Sequence, residues 1–300
     1  MKTVAPRYLR DFKCIADKCR HSCCIGWEID VDADSLEYYQ SIEGEFGRRL
    51  KDNIAIEQDC AHFTLGKDER CPFLNACGLC DIYTELGEDA LCQICTDHPR
   101  FYNEIAGRLE MGVGLCCEAA AELVLCSDEP FTLEVWEDDG EEQYSDPFEQ
   151  QILQERENLL SLVQSGASLV TLPDEIVKMD WCTFYSSLER LDPLWSEALS
   201  GWKNAPPSAW NEPMAQFDKE FRNLICYFLY RHLPGAEDLT DLQARIQFAF
   251  LSYRVVRVLC ALRENCTLAD LLDIARMYSA EIEYSEENTE RILKELESLL

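Results

Sequence analysis

The sequence predicts a mainly α protein in two parts: an irregular, cysteine-rich N-terminal domain with little β over residues 1–140, followed by an α-helical C-terminal domain over 141–300. Three observations predict it. After residue 150, apolar residues recur at three- and four-residue steps, the period of one helix face. Thirteen of the seventeen cysteines lie in residues 1–126, and the remaining four (Cys182, Cys226, Cys260, Cys266) are scattered singly. Between the two regions runs EDDGEEQYSDPFEQ, residues 137–150, with seven carboxylates, a Gly and a Pro, the composition of a solvated connection. The boundary is placed near residue 140.

In the front part, short helices are expected at 34–52, around 81–87 and at 117–126, with loops carrying most of the thiols. Strand material is limited to GWEIDVD and AHFTLG, which read as a small hairpin. Behind the boundary, QILQERENLLSLVQ (151–164), FDKEFRNLICYFLYRHL (217–233) and DLQARIQFAFLSYRVVRVLCALREN (241–265) carry the helical period. TLADLLDIARMYSA begins at Thr267, a natural N-cap, and in SEENTERILKELESLL Ser285 is followed three residues later by Asn288, a weaker capping signal. The apolar period continues to the last residues, so the final helix is expected to dock on the others.

With 47% hydrophobic residues over 300 positions, the chain can bury a core without covalent staples. An odd number of cysteines prevents complete pairing, and MKTVAPRYLRDF has no apolar run that would serve as a secretory signal. A reducing cytoplasm is therefore expected. No stretch approaches the roughly 18 apolar residues of a membrane span. The net charge of -30, from 57 acidic and 27 basic residues, repels nucleic acid and anionic lipid surfaces alike. It would attract a protein that presents lysines.

The cysteines fall in groups: Cys14, Cys19, Cys23 and Cys24; then Cys71, Cys77 and Cys80; then Cys92 and Cys95; then Cys116 and Cys117. Thiolates are soft anionic ligands, and several within a few residues reach a common centre at little loop-closure cost. Metal binding is the natural use in a compartment where stable disulfides are uncommon. Cys77, Cys80, Cys92 and Cys95 have close to zinc-ribbon spacing, which suits a structural zinc. The irregular N-terminal group suits an iron-sulfur cluster equally well, because the inorganic core fixes its own geometry.

FKCIADKCRHSCCIGWEI, then CPFLNACGLCDIYTELGEDALCQICTDHPRF, then the LCCEAA segment resemble the flagellin lysine-N-methylase family, related to cysteine-cluster proteins described as zinc- or iron-chelating. The resemblance is detailed over residues 5–126 and general in the helical remainder. It implies methyl transfer from S-adenosylmethionine to flagellin lysines, with an iron-sulfur centre of the 4Fe-4S type. Cys14, Cys19, Cys23, Cys24, Cys71, Cys80, Cys92, Cys95 and Cys116 fall on the family pattern. Cys77 and Cys117 do not, which counts against the zinc ribbon.

A methylated lysine must first lose the proton it holds with a pKa near 10.4, so a proton acceptor or a desolvated amine is needed. Tyr83 and His98, close to the cysteine motifs, are the candidate catalytic groups. Arg100 is a candidate partner for a cofactor carboxylate. Gly112 and Gly114 form the one local glycine pair that would approach a nucleotide. No alternating strand-helix series surrounds that pair, so a polar displacement and a cluster-assisted route both stay open. The alternative class is a non-catalytic zinc- or iron-chelating binding module, and dithiol exchange at Cys92 and Cys95 is a third reading.

Overall fold

The structure, a computed structural model, describes residues 1–57, 60–140, 146–166, 172–206, 209–210 and 214–300. In chain order the elements begin with β1 (Lys2–Pro6), α1 (Ala33–Ser41), α2 (Gly44–Asp52), β2 (Ile54–Glu57), β3 (Cys60–Phe63), α3 (Asp81–Leu86) and α4 (Gln93–Asp97). There follow β4 (Arg100–Ile105), β5 (Arg108–Val113), α5 (Glu118–Leu125) and β6 (Leu133–Glu137). Among the described residues only helices remain: α6 (Pro147–Gln164), α7 (Asp174–Lys178), α8 (Trp181–Ser186), α9 (Pro193–Lys203), α10 (Asp218–His232), α11 (Leu239–Ala261), α12 (Leu268–Tyr278) and α13 (Glu286–Leu299). None is long and apolar enough to cross a membrane.

Aspartate starts many of these helices, because a carboxylate takes up the first-turn amides that a helix leaves unpaired. Asp146 makes a capping box with Glu149 ahead of Pro147, Asp192 precedes Pro193, and Asp238 accepts from two amides. Thr267 caps α12 in a box with Asp270, and Ser285 caps α13 through the Asn288 amide, as the sequence pattern indicated.

The chain divides into two compact units, Lys13–Arg100 and Met1–Phe12 with Phe101–Leu300. In the larger unit α11 is buried on all sides, the mark of an interior helix, and packs against α9, α10, α12 and α13. This unit also holds a four-stranded sheet, ordered β4-β5-β1-β6, with β1 parallel to β5 and antiparallel to β6. Ala106 and Gly107, both at positive φ, make the two-residue turn between β4 and β5.

That sheet corrects the expectation of little β in the front part. Its strands are short, and β5 buries a charge where alternation would place an apolar residue: Glu110 is fully buried, bonded twice by Arg156 at 2.6 Å and also by Arg108. The division at residue 140 is not the one the contacts make. β6 pairs with β1, and α5 packs on α10 and α12, so residues 101–140 share a unit with the helices. Residues 141–145 of the acidic connection lie outside the described residues.

The smaller unit carries ten of the cysteines around its own core, which includes Ile29, Val31, Tyr39, Phe63 and Phe73 together with the buried Cys71 and Cys92. Of the expected hairpin, AHFTLG supplies β3, whose hairpin partner is β2. GWEIDVD runs along the other edge of β3 as an extended segment, with Asp30 opposite His62.

Removing one member of a buried ion pair leaves an uncompensated charge, which costs about 3–5 kcal/mol. Arg156→Ala is expected to lose that much in urea unfolding, and Glu110→Met with Arg156→Leu together to lose much less.

Candidate functional site

Backbone geometry in the smaller unit converts a stretch of sequence into a set of sulfur acceptors. The Cys71 amide donates to the Cys24 carbonyl at 2.8 Å, which brings the first thiol group beside the second. The 71–80 loop is folded round Asn75, whose Oδ1 accepts the amides of Cys77 (2.9 Å) and Leu79 (3.0 Å) while its Nδ2 donates to Asp81. Asp81 in turn pairs with Arg49 at 2.6 Å, and Arg49 also donates to the Pro72 carbonyl. Gly78, at φ 78°, permits the tight turn between.

Five buried or half-buried thiols result that feel one another, Cys24, Cys71, Cys80, Cys92 and Cys95, with the exposed Cys23 beside Cys24. Burial pushes Cys71 up to about 12, against the amides of Phe73 and Leu74, which donate to its sulfur, and with help from Cys24 and Cys80. Burial raises Cys80 too, opposed by the amides of Tyr83 and Ile82. Cys92 and Cys95 are 3.3 Å apart, and their hydrogen bond lowers Cys92 and raises Cys95, where burial and the charges of Cys92, Cys24 and Cys71 add to the rise. A hydrogen bond with Cys23 brings Cys24 down to about 7, against burial, with Ser22 and Arg70 assisting.

The sulfurs of Cys71, Cys80 and Cys92 accept backbone N–H groups, which favours negative charge on them, and five soft donors suit a metal or a cluster in chemical character. Among the described residues, no group of three or more His, Cys, Asp or Glu side chains stands so that it could hold a metal ion.

The structure sorts the other expected residues. Cys77, the fourth member of the zinc-ribbon spacing, is exposed on the Asn75 turn; the charges acting on Cys80 come from Cys24 and Asp81, and those on Cys95 from Cys92, Cys24 and Cys71. Cys14 is exposed and accepts the Ala16 amide; Cys19 donates to the His21 carbonyl. Tyr83 is 50% exposed on α3 and meets the thiols through its backbone amide. His98 lies against Trp27 with the rings tilted and their centroids 5.6 Å apart, and burial lowers its pKa to about 4, so the imidazole is neutral and weakly basic. Arg100 donates to the Thr96 carbonyl.

Gly112, Gly114 and Cys116 lie in the larger unit. A side-chain carbon on Gly112 would strike the Phe101 ring, and one on Gly114 would strike the Tyr284 hydroxyl and Arg231. Both glycines therefore serve close packing and offer no cradle for a nucleotide. Beneath them is a charged network that sequence reading missed. Glu283, fully buried, accepts from the Tyr227 hydroxyl (3.0 Å) and from His232 Nε2 (2.6 Å) and pairs with Arg231, which stacks between the Phe101 and Tyr284 rings. Cys116 hydrogen-bonds with Tyr284, and burial pushes its thiol up to about 12. The only sequence signal for this network was the presence of charge inside the apolar runs LYRHL and IEY.

Residues 111–299 match the family model described as the FliB lysine N-methylase C-terminal domain. The chain belongs to the FliB lysine N-methylase family. The matched region lies in the larger unit, apart in sequence from the thiol-bearing residues 24–95. Two proteins named Lysine-N-methylase, from Salmonella choleraesuis (strain SC-B67) and Salmonella typhimurium (strain LT2), are each 25% identical over 129 residues, covering 40% of this chain and 31% of theirs. The match thus spans about a third of the length of those FliB-type relatives. A protein named Flagellar biosynthetic protein FliU, from Salmonella muenchen, is 26% identical over 129 residues, covering 40% of this chain and 75% of its own. No solved structure matches the chain.

Burial alone would raise the Glu283 pKa; Arg231 and His232 outweigh it and hold the carboxyl at about 2. A carboxyl below its unfolded value of about 4.3 stabilises the fold at higher pH, and that contribution is lost as pH falls from there toward 2. Urea unfolding between pH 5 and pH 2, taken as about the range of interest, is expected to show a shallower acid decline in Glu283→Gln than in the unaltered chain.

Proposed function

We propose that this chain is a protein-lysine N-methyltransferase that uses S-adenosylmethionine, acts on flagellin and carries an iron-sulfur centre of the 4Fe-4S type in its thiol-rich unit. Membership of the FliB family is the observation that carries the reaction; the names of the Salmonella relatives point to lysine methylation and to the flagellum. The iron-sulfur part rests on the sulfurs of Cys71, Cys80 and Cys92, each placed to accept a backbone amide and each near other thiols.

Cys24, Cys71, Cys80, Cys92 and Cys95 are the residues that would hold the centre, which would supply sulfur-bound iron for electron transfer or for coordination of a cofactor. The residues around it hold the sulfurs in place: Arg49, Asn75 and Asp81 fix the 71–80 loop, and helix α4 begins at Cys92. Because His98 is a weak base at about 4, its part is packing against Trp27, and proton removal from the substrate amine falls to desolvation or another acceptor. The charge of -30 favours approach of a lysine-bearing protein, an attraction that salt would screen.

The test is the full chain purified without oxygen and analysed for iron and acid-labile sulfide, then incubated with S-adenosylmethionine and flagellin. Near-equal iron and sulfide, and flagellin lysines heavier by one or more methyl groups in mass spectrometry, are expected. Cys71→Ser and Cys92→Ser are expected to lose the iron and sulfide, and Cys14→Ser to retain most of both. Zinc without sulfide would replace the cluster with a structural metal, and unmodified flagellin from metal-replete protein would leave a chelating or binding module as the function.

A further inference from the structure

The extended segment through Glu28–Val31 and strand β3 form a short antiparallel ladder, closed by the Val31 amide on the Ala61 carbonyl (2.7 Å) and the Phe63 amide on the Ile29 carbonyl (2.9 Å). Side chains alternate across such a ladder. Ile29, Val31, Ala61 and Phe63 face inward and are buried, which sends Glu28, Asp30, Cys60 and His62 to the outer face. Asp30 stands directly opposite His62. On the other side of β3, Glu57 of β2 stands opposite Cys60. None of these residues belongs to the five-thiol set.

Cys60 Sγ lies 3.6 Å from Asp30 Oδ1, and His62 Nδ1 lies 3.5 Å from Glu28 Oε1. Zinc bonds of about 2.0–2.3 Å in a tetrahedron put neighbouring donors about 3.3–3.8 Å apart, so each pair already has the length of one tetrahedral edge. The pairs are neighbours, since partial desolvation and then the charges of Asp30 and Glu28 raise the Cys60 thiol. In the structure the donors stand as two pairs, and no three of them close on one point. The His62 side chain is 14% exposed and held, whereas that of Glu28 is 66% exposed. Closing the set needs rotation of exposed side chains over a fixed backbone, a motion of picoseconds to nanoseconds.

We propose that Glu28, Asp30, Cys60 and His62 form a second metal site, selective for a borderline divalent transition ion such as zinc or cobalt. One thiolate, one imidazole and two carboxylates form a donor set that such ions accept and that magnesium and calcium, which prefer oxygen alone, do not. The strands bring the four donors to one face before any ion arrives, so binding orders exposed side chains and leaves the backbone in place.

The experiment counts equivalents of Co2+ bound by the full chain after its iron content has been determined, with absorption reporting sulfur-to-cobalt charge transfer. Cys60→Ser and Asp30→Asn, both at exposed positions, are each expected to bind one equivalent fewer than the unaltered chain and to lose the matching share of the charge-transfer band. Cys92→Ser is expected to keep that equivalent, which separates this site from the five-thiol set. His62→Asn should behave as Cys60→Ser does, provided its near-ultraviolet circular dichroism matches the unaltered chain. Equal stoichiometry and spectra in the unaltered chain, Cys60→Ser and Asp30→Asn overturn the proposal, as does loss of the equivalent in Cys92→Ser alone.

Discussion

A carboxylate sealed from water must be matched in place, and the larger unit is organised round two of them. Glu110 fixes β5 to α6 through Arg156. Glu283 does more, because its partners Tyr227, Arg231 and His232 all stand on α10 and two of them reach on to other parts of the fold. Tyr227 donates to it and also accepts the Leu115 amide, Arg231 brings in the Phe101 ring, and the Arg231 carbonyl holds Asn103 of β4. One buried anion thus ties α10, the sheet and the 114–117 loop to the segment before α13. The close packing at Gly112 and Gly114 follows, since a network this tight leaves no room for side chains there.

The smaller unit solves a different problem with the same means. Burial, and after it the charge of neighbouring thiols, raises Cys71 and Cys80, yet amides aimed at the sulfurs favour the charged form. In the proposed site both effects have a use: a bound cation would favour the charged sulfurs that burial disfavours. The family match falls elsewhere, on residues 111–299, so the two lines of argument for the proposed methylase come from separate units.

Much of the fold was legible where the signal is local. Thr267 and Ser285 cap the helices their spacing announced, and the long apolar runs after residue 150 are helices. The sheet was not legible, because β1 pairs with β5 across more than a hundred residues and Glu110 breaks the alternation by being charged and buried. Spacing alone grouped Cys77 with Cys80, Cys92 and Cys95, whereas the family pattern left Cys77 out and took in Cys24; the Asn75 turn exposes Cys77, and Cys24 arrives from another segment. A lone glycine pair suggested a nucleotide and proved to be a packing contact. Nothing in a linear reading links Arg231 to Glu283, since only the docking of α10 beside the segment before α13 brings them together.

Before α13, Ser279–Glu283 winds as a π-helix, and the Tyr284 amide reaches back five residues to the Ser279 carbonyl at 3.2 Å. Such a turn holds one residue more than the same length of α-helix. Deleting that residue would restore ordinary winding and swing whatever follows by about 100°, carrying the carboxylate at 283 away from Arg231 and the phenol at 284 away from Gly114. Along a lineage, this segment should therefore accept many exchanges of one side chain for another while keeping its length unchanged.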